Sequence, residues 1–346
     1  MMKKSWMKGV AVVAIAAMSM GMLAGCGGSK DSGAQQSAED GKTYKVGVVQ
    51  LVQHGALDQA NQGMIDGLKD NGYEEGKNLV IDQQNAQGDQ SNLQNIAQQF
   101  VSNESDIILA IATPAAQVMA AATEDIPIVG TAITSYTGAK LVESDEAPGT
   151  NVTGTSDMNP IEAQLNLLLQ IVPDAKVIGT VYTASETNSQ IQVDILEQIA
   201  GEMGLTVEAR TISNVNDIQQ AAQSLVGEVD ALWLPTDNNV ASAMPQVIGV
   251  TDENGIVTIC GEESMVRAGG TATYGFSYYK LGYNAGVMAA KILSGESVPA
   301  EMPIQYMPEE DCVAIVNTDA VAALGIEIPA DIMEGATQVT TGSTAE

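Results

Sequence analysis

The chain has 346 residues, more than one domain usually contains, so its length predicts two domains or one large α/β unit. Apolar residues make up 45% and glycines number 34, a globular composition that excludes a disordered, fibrous or disulfide-stapled chain. The 43 acidic residues against 14 Lys and Arg give a formal net charge of −29, which repels phosphate backbones and argues against nucleic acid as a partner. One histidine and three cysteines are too few for a Cys/His zinc site, and a Ser-His-Asp triad would have to use His54.

The first 25 residues have the layout of a secretory signal peptide. A start with three lysines precedes an uncharged Ala/Val/Met run over 9–25, which is too short and too weakly apolar for a membrane span. The run ends in LAGC, which resembles the bacterial lipobox, and the cysteine of that motif accepts a diacylglycerol. We therefore expect cleavage after residue 25 and a lipid on Cys26, with an ordinary signal peptide or an N-terminal membrane anchor as alternatives. Residues 26–43 lack apolar periodicity and predict a flexible tether.

The next part of the chain alternates short β-branched runs with amphipathic helical patterns. It predicts strands over 45–51, 78–83, 106–112 and 126–131. Between them, apolar residues at helical spacing predict three helices. The third helix begins at Thr113-Pro114, with Thr113 as its N-cap and the proline where its missing N–H costs nothing.

The same rhythm restarts after residue 154. Helical patterns that begin at 159–160, 187, 217 and 240 alternate with strand patterns over 176–182, 205–211, 230–234 and 256–260. Because parallel strands need crossover connections, two such sets predict two doubly wound parallel sheets, that is, two Rossmann-like α/β lobes. A helix over 278–293 then either extends the second sheet or crosses back to the first. A strand–helix pair around 312–324 ends the pattern.

The remaining cysteines, Cys260 and Cys312, each lie in an apolar run and are expected to be buried strand residues. An exported protein could pair them, but nothing in the sequence requires a disulfide. Their pairing stays open.

Enzyme signatures are absent, and polar residues instead follow the strands. The sequence has no dinucleotide fingerprint, no phosphate-binding P-loop and no nucleophile elbow, so we expect no catalytic residue, no metal and no cofactor. Open α/β sheets bind ligands just beyond the carboxyl ends of their strands. The candidate ligand-binding residues at such positions are His54, Thr113, Thr134, Tyr136, Ser156, Asp157, Ser185, Glu186, Asn188 and Asp237. Asn238, Asn239 and the Glu262-Glu263 pair also lie on this rim.

An amino-acid ligand would need groups of both charges. The free N–H groups where the helix begins at Thr113 could hold its carboxylate, and the helix start at Ser185, Glu186 and Asn188 could do so from the other lobe. A buried carboxylate would have to pair with its ammonium, and Asp237 is the first choice and Asp157 the second.

Each of these residues also has a purely structural interpretation. The residues at helix starts and both aspartates could be caps or turn residues. His54 could be a packing residue, and Tyr136 either an aromatic wall or a loop residue.

Several stretches, in this order and spacing, resemble the substrate-binding lipoproteins of ABC importers, the family that includes tryptophan- and tyrosine-binding members. The resemblance covers about 44–333. The matching stretches are QHGALDQANQGMIDGLKDNGYEEGKN (53–78), NAQGDQSN (85–92), DIILAIATPAAQ (106–117), NVTGTSD (151–157), YTASETNS (182–189), DALWLPTDN (230–238) and YYKLGYNAGVMAAKILSG (278–295). The sequence departs from the family at Ser135-Tyr136, where many members have Asp-Pro, and near Thr183, where they have Asn. Both places face the cleft, so the ligand is not carried over from the resemblance.

The resemblance implies a type I periplasmic-binding clamshell with hinges near 154–157 and 274–277 and with the 278–293 helix crossing back to the first lobe. The expected division is a signal peptide (1–25), a tether (26–43), lobe 1 (44–154 and 276–303), lobe 2 (155–275 and 304–333) and a disordered tail (334–346). The expected function is that of a monomeric, lipid-anchored extracytoplasmic protein, not an enzyme, that passes an amino-acid-like, possibly aromatic solute to an ABC permease and its ATPase. A ligand-sensing lipoprotein for a membrane receptor and an extracellular enzyme on the same scaffold are the alternatives.

Overall fold

A computed structural model describes residues 41–344. The predicted signal peptide, the lipidation of Cys26 and most of the predicted tether lie outside these residues. Along 41–344 we find no helix with both the length and the apolar character of a membrane span.

The first lobe begins with alternating strands and helices, as the apolar periodicity predicts. Its first elements are β1 (Tyr44–Gln50), α1 (Gly55–Asp70), β2 (Leu79–Asn85), α2 (Gln90–Ser102), β3 (Ile107–Ile111), α3 (Thr113–Ala122), β4 (Ile128–Ile133) and β5 (Val152–Ser156). These strands form a parallel sheet in the order β5-β4-β3-β1-β2. The buried β3 and β4 form its centre, so their carboxyl ends point to one edge of the lobe.

The second lobe repeats this arrangement. Its elements in chain order are α4 (Ile161–Ile171), β6 (Val177–Thr183), α5 (Thr187–Glu202), β7 (Thr206–Ile212), α6 (Ile218–Gln223), β8 (Ala231–Leu234), α7 (Asn238–Ser242), α8 (Met244–Asn254), β9 (Val257–Cys260), α9 (Glu263–Arg267) and β10 (Ala272–Gly275).

After β10 the chain returns to the first lobe and then leaves it again. The last elements are α10 (Tyr278–Leu293), β11 (Gln305–Tyr306), β12 (Val313–Asn317), α11 (Thr318–Leu324), α12 (Ala330–Gly335) and β13 (Thr337–Val339). The second sheet has the order β13-β12-β10-β9-β8-β6-β7. Strand β12 pairs antiparallel with β10 and parallel with β13, so β12 and β13 both run opposite to the other described strands of this sheet. The chain therefore crosses between lobes at three places, over 157–160, 276–277 and 307–312.

Helix α10 crosses back to the first lobe because glycines let it approach α1 closely. A Cβ on Gly282 would overlap the carbonyl oxygen of Ala60, and one on Gly63 would overlap that of Tyr279. The two helix backbones are therefore in direct contact, which only glycine permits at these positions. This packing answers the question that the residues alone left open about the 278–293 helix.

Two of the expected boundaries are shifted and one is wrong. Strand β5 continues to Ser156 and pairs with β11, so 155–156 and 304–306 belong to the first lobe. The expected disordered tail is ordered over 334–344, because β13 pairs with β12 and the Arg267 guanidinium donates to Ser343 Oγ and the Thr344 carbonyl.

The two cysteines differ in environment. Cys260 is buried in β9, as expected, whereas Cys312 precedes β12 and is only half-buried. Neither forms a disulfide within the described chain.

Candidate functional site

A cavity lies where the carboxyl ends of both sheets face each other. Its volume is about 10 Å³, roughly the space of one water molecule. The residues around it include His54, Ala132, Thr134, Asp157, Asn188, Thr236, Asn238, Glu262 and Tyr278. His54, Thr134, Asp157 and Asn188 are among the residues predicted from their positions after strands, and the structure brings these four together at the cavity.

Asp157 is the carboxylate that the first lobe contributes. It follows β5, is 3% exposed, and accepts hydrogen bonds from Thr134 Oγ1 at 2.9 Å and Tyr278 Oη at 2.8 Å. Burial raises the pKa of Asp157, and the two hydroxyl groups oppose that shift. Both partners are neutral hydroxyl groups, so within residues 41–344 Asp157 has no cationic hydrogen-bond partner.

Asp237 is held entirely by its own lobe. It is fully buried and accepts from Thr183 N at 2.6 Å, Thr183 Oγ1 at 2.8 Å, Ser189 Oγ at 2.8 Å and Val240 N at 2.9 Å. It does not line the cavity, and it is the N-cap of α7. The structure therefore places Asp157, the second choice of the sequence analysis, at the cavity and Asp237, the first choice, outside it.

Glu186 connects two amide side chains behind the cavity wall. Its Oε2 accepts from Asn188 Nδ2 at 3.0 Å, Asn238 Nδ2 at 2.6 Å and Asn238 N at 3.2 Å. Burial, with the nearby charge of Asp237, raises the pKa of Glu186 to about 8. Its side chain makes no capping bond to α5, so it holds the two asparagines in place rather than matching a helix dipole.

His54 meets this group from the first lobe. Its Nε2 lies 3.3 Å from Asn238 Oδ1, and burial lowers the pKa of His54 to about 4, so the ring is neutral at pH 7. Its buried Nδ1 has no hydrogen-bond partner within residues 41–344, and Asn188 Oδ1 likewise finds none in the described chain. Two buried polar atoms of the cavity wall are thus left without partners.

Glu262 is a cavity residue that the sequence analysis placed on the rim without naming it as a site. It follows β9 and caps α9, where it accepts from the backbone N–H groups of Ser264 and Met265 and from Ser264 Oγ. Burial raises the pKa of Glu262 to about 7. The position of Glu262 directly after a strand was the sequence feature that could have identified it as a site residue. No such feature marked Tyr278, because it lies on α10, a helix that crosses back to the first lobe from the other end of the chain.

Besides Asp237 and Glu186, four more predicted residues do not line the cavity. Tyr136 is fully buried in the first lobe, in the turn after β4, and donates to the Thr155 carbonyl, so it is a loop residue and not an aromatic wall of the cavity. Ser156 donates to the Thr134 carbonyl, and Ser185 is exposed. Thr113 is not a helix N-cap, because Ala112 occupies that position.

The backbone is strained beside the predicted carboxylate site. Ala112 has a φ of 86° and Ala132 a φ of 54°, values that residues with a side chain rarely adopt. The hydroxyl of Thr113 is buried and has no partner among residues 41–344. The structure thus leaves a free polar group at the start of α3, although Thr113 itself lies outside the cavity wall.

The cavity is acidic. It is lined by Asp157 and Glu262, with Glu186 directly behind, and none of the lining residues in the described region is Lys or Arg. Residues 41–344 contain no group of three or more His, Cys, Asp or Glu side chains placed to hold a metal ion. A buried carboxylate without a cation is costly, so the site favours a solute that brings its own positive charge.

Comparisons with known proteins identify the family of this chain. Residues 45–340 match the family model described as ABC transporter substrate binding protein. The chain is 43% identical over 313 residues to a tyrosine-binding protein of Clostridioides difficile (strain R20291), covering 90% of each chain.

Two solved structures show the same fold in different states. One is a domain from Streptococcus pneumonia in complex with L-Trp, with 36% identity, a TM-score of 0.83, and coverage of 86% of this chain and 100% of that one. The other is a ligand-free, open substrate binding protein with adhesive properties from Clostridium difficile, with 44% identity, the same coverage and a TM-score of 0.67. The chain folds into two parallel-sheet α/β lobes of the type I periplasmic-binding class, and the family model matches residues 45–340. It therefore belongs to the ABC transporter substrate-binding protein family.

Proposed function

We propose that this protein is the extracytoplasmic solute-binding lipoprotein of an ABC importer, and that it captures an aromatic amino acid between its lobes and delivers it to the permease. The observation that carries the proposal is Asp157, a buried carboxylate at an interlobe cavity that no Lys or Arg of residues 41–344 lines. An α-ammonium group would supply the missing positive charge in a charge-assisted hydrogen bond.

The identity of the aromatic ligand is supported by the relatives. One of them is named for tyrosine and another was solved with L-Trp, at identities of 43% and 36%. The two amino acids share an α-ammonium, an α-carboxylate and a ring that carries one hydrogen-bond donor. For the carboxylate, the free N–H groups at the start of α3 and the unpartnered Thr113 hydroxyl remain the proposed contact.

Capture requires the lobes to open. A cavity of about 10 Å³ has no room for an amino acid, so the solute enters an open form and is enclosed when the lobes close. The better match to the L-Trp complex than to the ligand-free open structure, despite lower identity, supports a closed arrangement in this structure.

The binding proposal is tested by titration calorimetry of the ligand-free protein with L-Tyr and L-Trp, with L-Leu and L-Glu as controls. We expect the aromatic amino acids to bind at least about tenfold more tightly, and X-ray scattering to show a smaller radius of gyration in the bound state. Equal or absent binding of all four would refute the proposed ligand class.

The lipoprotein and importer roles need separate tests. Cys26→Ser should abolish incorporation of labelled palmitate, and continued labelling would refute the lipid anchor. Deletion of the gene should lower cellular uptake of the labelled ligand. Unchanged uptake would favour a sensory role.

A further inference from the structure

We propose that Asn188 Oδ1 and His54 Nδ1 receive the hydrogen-bond donor of the ligand's aromatic ring, so that the site selects rings with an O–H or N–H over a plain phenyl ring. The inference rests on the proposed function, because it takes an aromatic amino acid as the solute of this cavity.

The orientation of the Asn188 amide is fixed by its neighbours. Its Nδ2 donates to Glu186 Oε2 at 3.0 Å and to the Thr236 carbonyl at 3.2 Å, and a carbonyl can only accept. The NH₂ group must therefore face these atoms. The Oδ1 atom is left as a buried acceptor in a residue of the cavity wall that is 3% exposed.

The tautomer of His54 is fixed by the same group of residues. Asn238 donates from Nδ2 to Glu186 Oε2 at 2.6 Å, so its Oδ1 is the atom that faces the histidine. His54 must then carry its proton on Nε2 and donate to that oxygen. Its Nδ1 remains an acceptor, buried and without a partner among the described residues.

The two free acceptors belong to opposite lobes and line one cavity. His54 follows β1 in the first lobe, whereas Asn188 lies in the first turn of α5 in the second. A ring donor between them would satisfy groups of both lobes, and the ligand would thereby favour the closed form over the open one.

The charges of the cavity residues indicate which end of the ligand each of them would bind. Asp157 is a carboxylate and suits the ammonium, whereas Asn188 and the His54 ring are neutral acceptors and suit a neutral phenol or indole donor. A site built to bond a donor discriminates strongly against the analogue that lacks it, because its buried acceptor then stays unpaired.

The test is the ratio of the dissociation constants of L-Phe and L-Tyr, measured by calorimetry on the full chain, with L-Trp as the second donor-bearing ligand. For the unaltered protein we expect L-Phe to bind about ten- to a hundredfold more weakly than either. Asn188→Ala should weaken L-Tyr and L-Trp but leave L-Phe nearly unchanged, so that the ratio falls toward one. A purely structural role would weaken all three alike.

The matched control is Asn166→Ala, an exposed asparagine on α4, which should leave the ratio unchanged. His54→Phe keeps an aromatic ring of similar size without an acceptor, and it should lower the ratio even if Asn188→Ala does not fold. Tight binding of L-Phe and L-Tyr with equal affinity would overturn this inference and leave the proposed function intact. If none of the three amino acids binds, both fail.

Discussion

The two rims of the cleft carry their buried carboxyl groups in different ways. In the second lobe, Asp237, Glu186 and Glu262 each accept hydrogen bonds from backbone N–H groups of their own lobe. In the first lobe, Asp157 has two hydroxyl groups as side-chain partners, from Thr134 and Tyr278.

This difference in hydrogen-bond partners distinguishes acids with a structural role from an acid that can accept a further partner. A carboxylate surrounded by backbone amides fixes the loops that donate to it and has little capacity left for a solute. A carboxylate held by two neutral hydroxyls at a cavity still gains from a cation. The hydrogen-bond partners therefore distinguish Asp237 from Asp157, although both follow strands and both are buried.

The largest expected effect is on stability. Asp237→Ala leaves the donors of Thr183, Ser189 and Val240 buried without an acceptor, so the free energy of unfolding should fall by about 3 kcal/mol or more. Urea denaturation of the ligand-free protein measures this, with Asp194→Ala on the exposed face of α5 as the control. Unchanged stability combined with lost ligand affinity would mean that Asp237 is the binding acid.

The second expected effect is on affinity. Asp157→Asn keeps the shape of the side chain but removes the charge that pairs with the ammonium, so the dissociation constant should rise about ten- to a hundredfold. Ligand-free stability should stay the same or rise slightly, because burial already raises the pKa of Asp157. Calorimetry with L-Tyr and L-Trp decides, with Asp70→Asn at the exposed end of α1 as the control. An unchanged dissociation constant would contradict the ammonium assignment.

The smallest expected effect is a change of ligand-free stability with pH. The pKa of Glu186 rises from 4.5 to about 8 on folding, so between these values the folded state retains a proton that the unfolded state has lost. The contribution of Glu186 to the stability of the folded protein is therefore greatest below pH 4.5 and is lost as the pH rises through about 8. Glu262, with its pKa raised to about 7, acts in the same direction.

His54 has the opposite effect on the pH dependence of stability, but only at lower pH. Its pKa falls from 6.5 to about 4 on folding, so its contribution rises with pH and is complete above about 6.5. Between pH 6.5 and 8 the ligand-free melting temperature should thus fall, by roughly 2–4 °C per kcal/mol lost.

A glutamine at position 186 tests this assignment. Glu186→Gln retains an oxygen for the three hydrogen bonds now made to Oε2, and it should flatten the fall above pH 7. Melting curves from pH 5 to 9 measure the slope, and Glu253→Gln, at an exposed position of α8, should leave it unchanged. A slope that persists in Glu186→Gln would place the titrating group elsewhere.

The order of strands and helices could be predicted from the residues alone, because apolar periodicity is a local property of each segment. The sequence also predicts which residues come together at the cavity, since polar residues after parallel strands meet at one edge of a sheet. His54, Thr134, Asp157 and Asn188 follow from that rule. It misplaced Tyr136, which satisfies the same rule but turns inward to reach the Thr155 carbonyl.

Which acid lines the cavity depends on long-range packing. Asp237 accepts a hydrogen bond from Thr183, which lies 54 residues away in the sequence. Asp157 accepts one from Tyr278, which lies 121 residues away on a helix that crosses back from the other end of the chain. The same holds for the ordered tail, where β13 pairs with β12. A local pattern specifies that a polar group is buried near a strand end. Which donors reach it depends on contacts between distant segments, and these exist only once both sheets and α10 have packed.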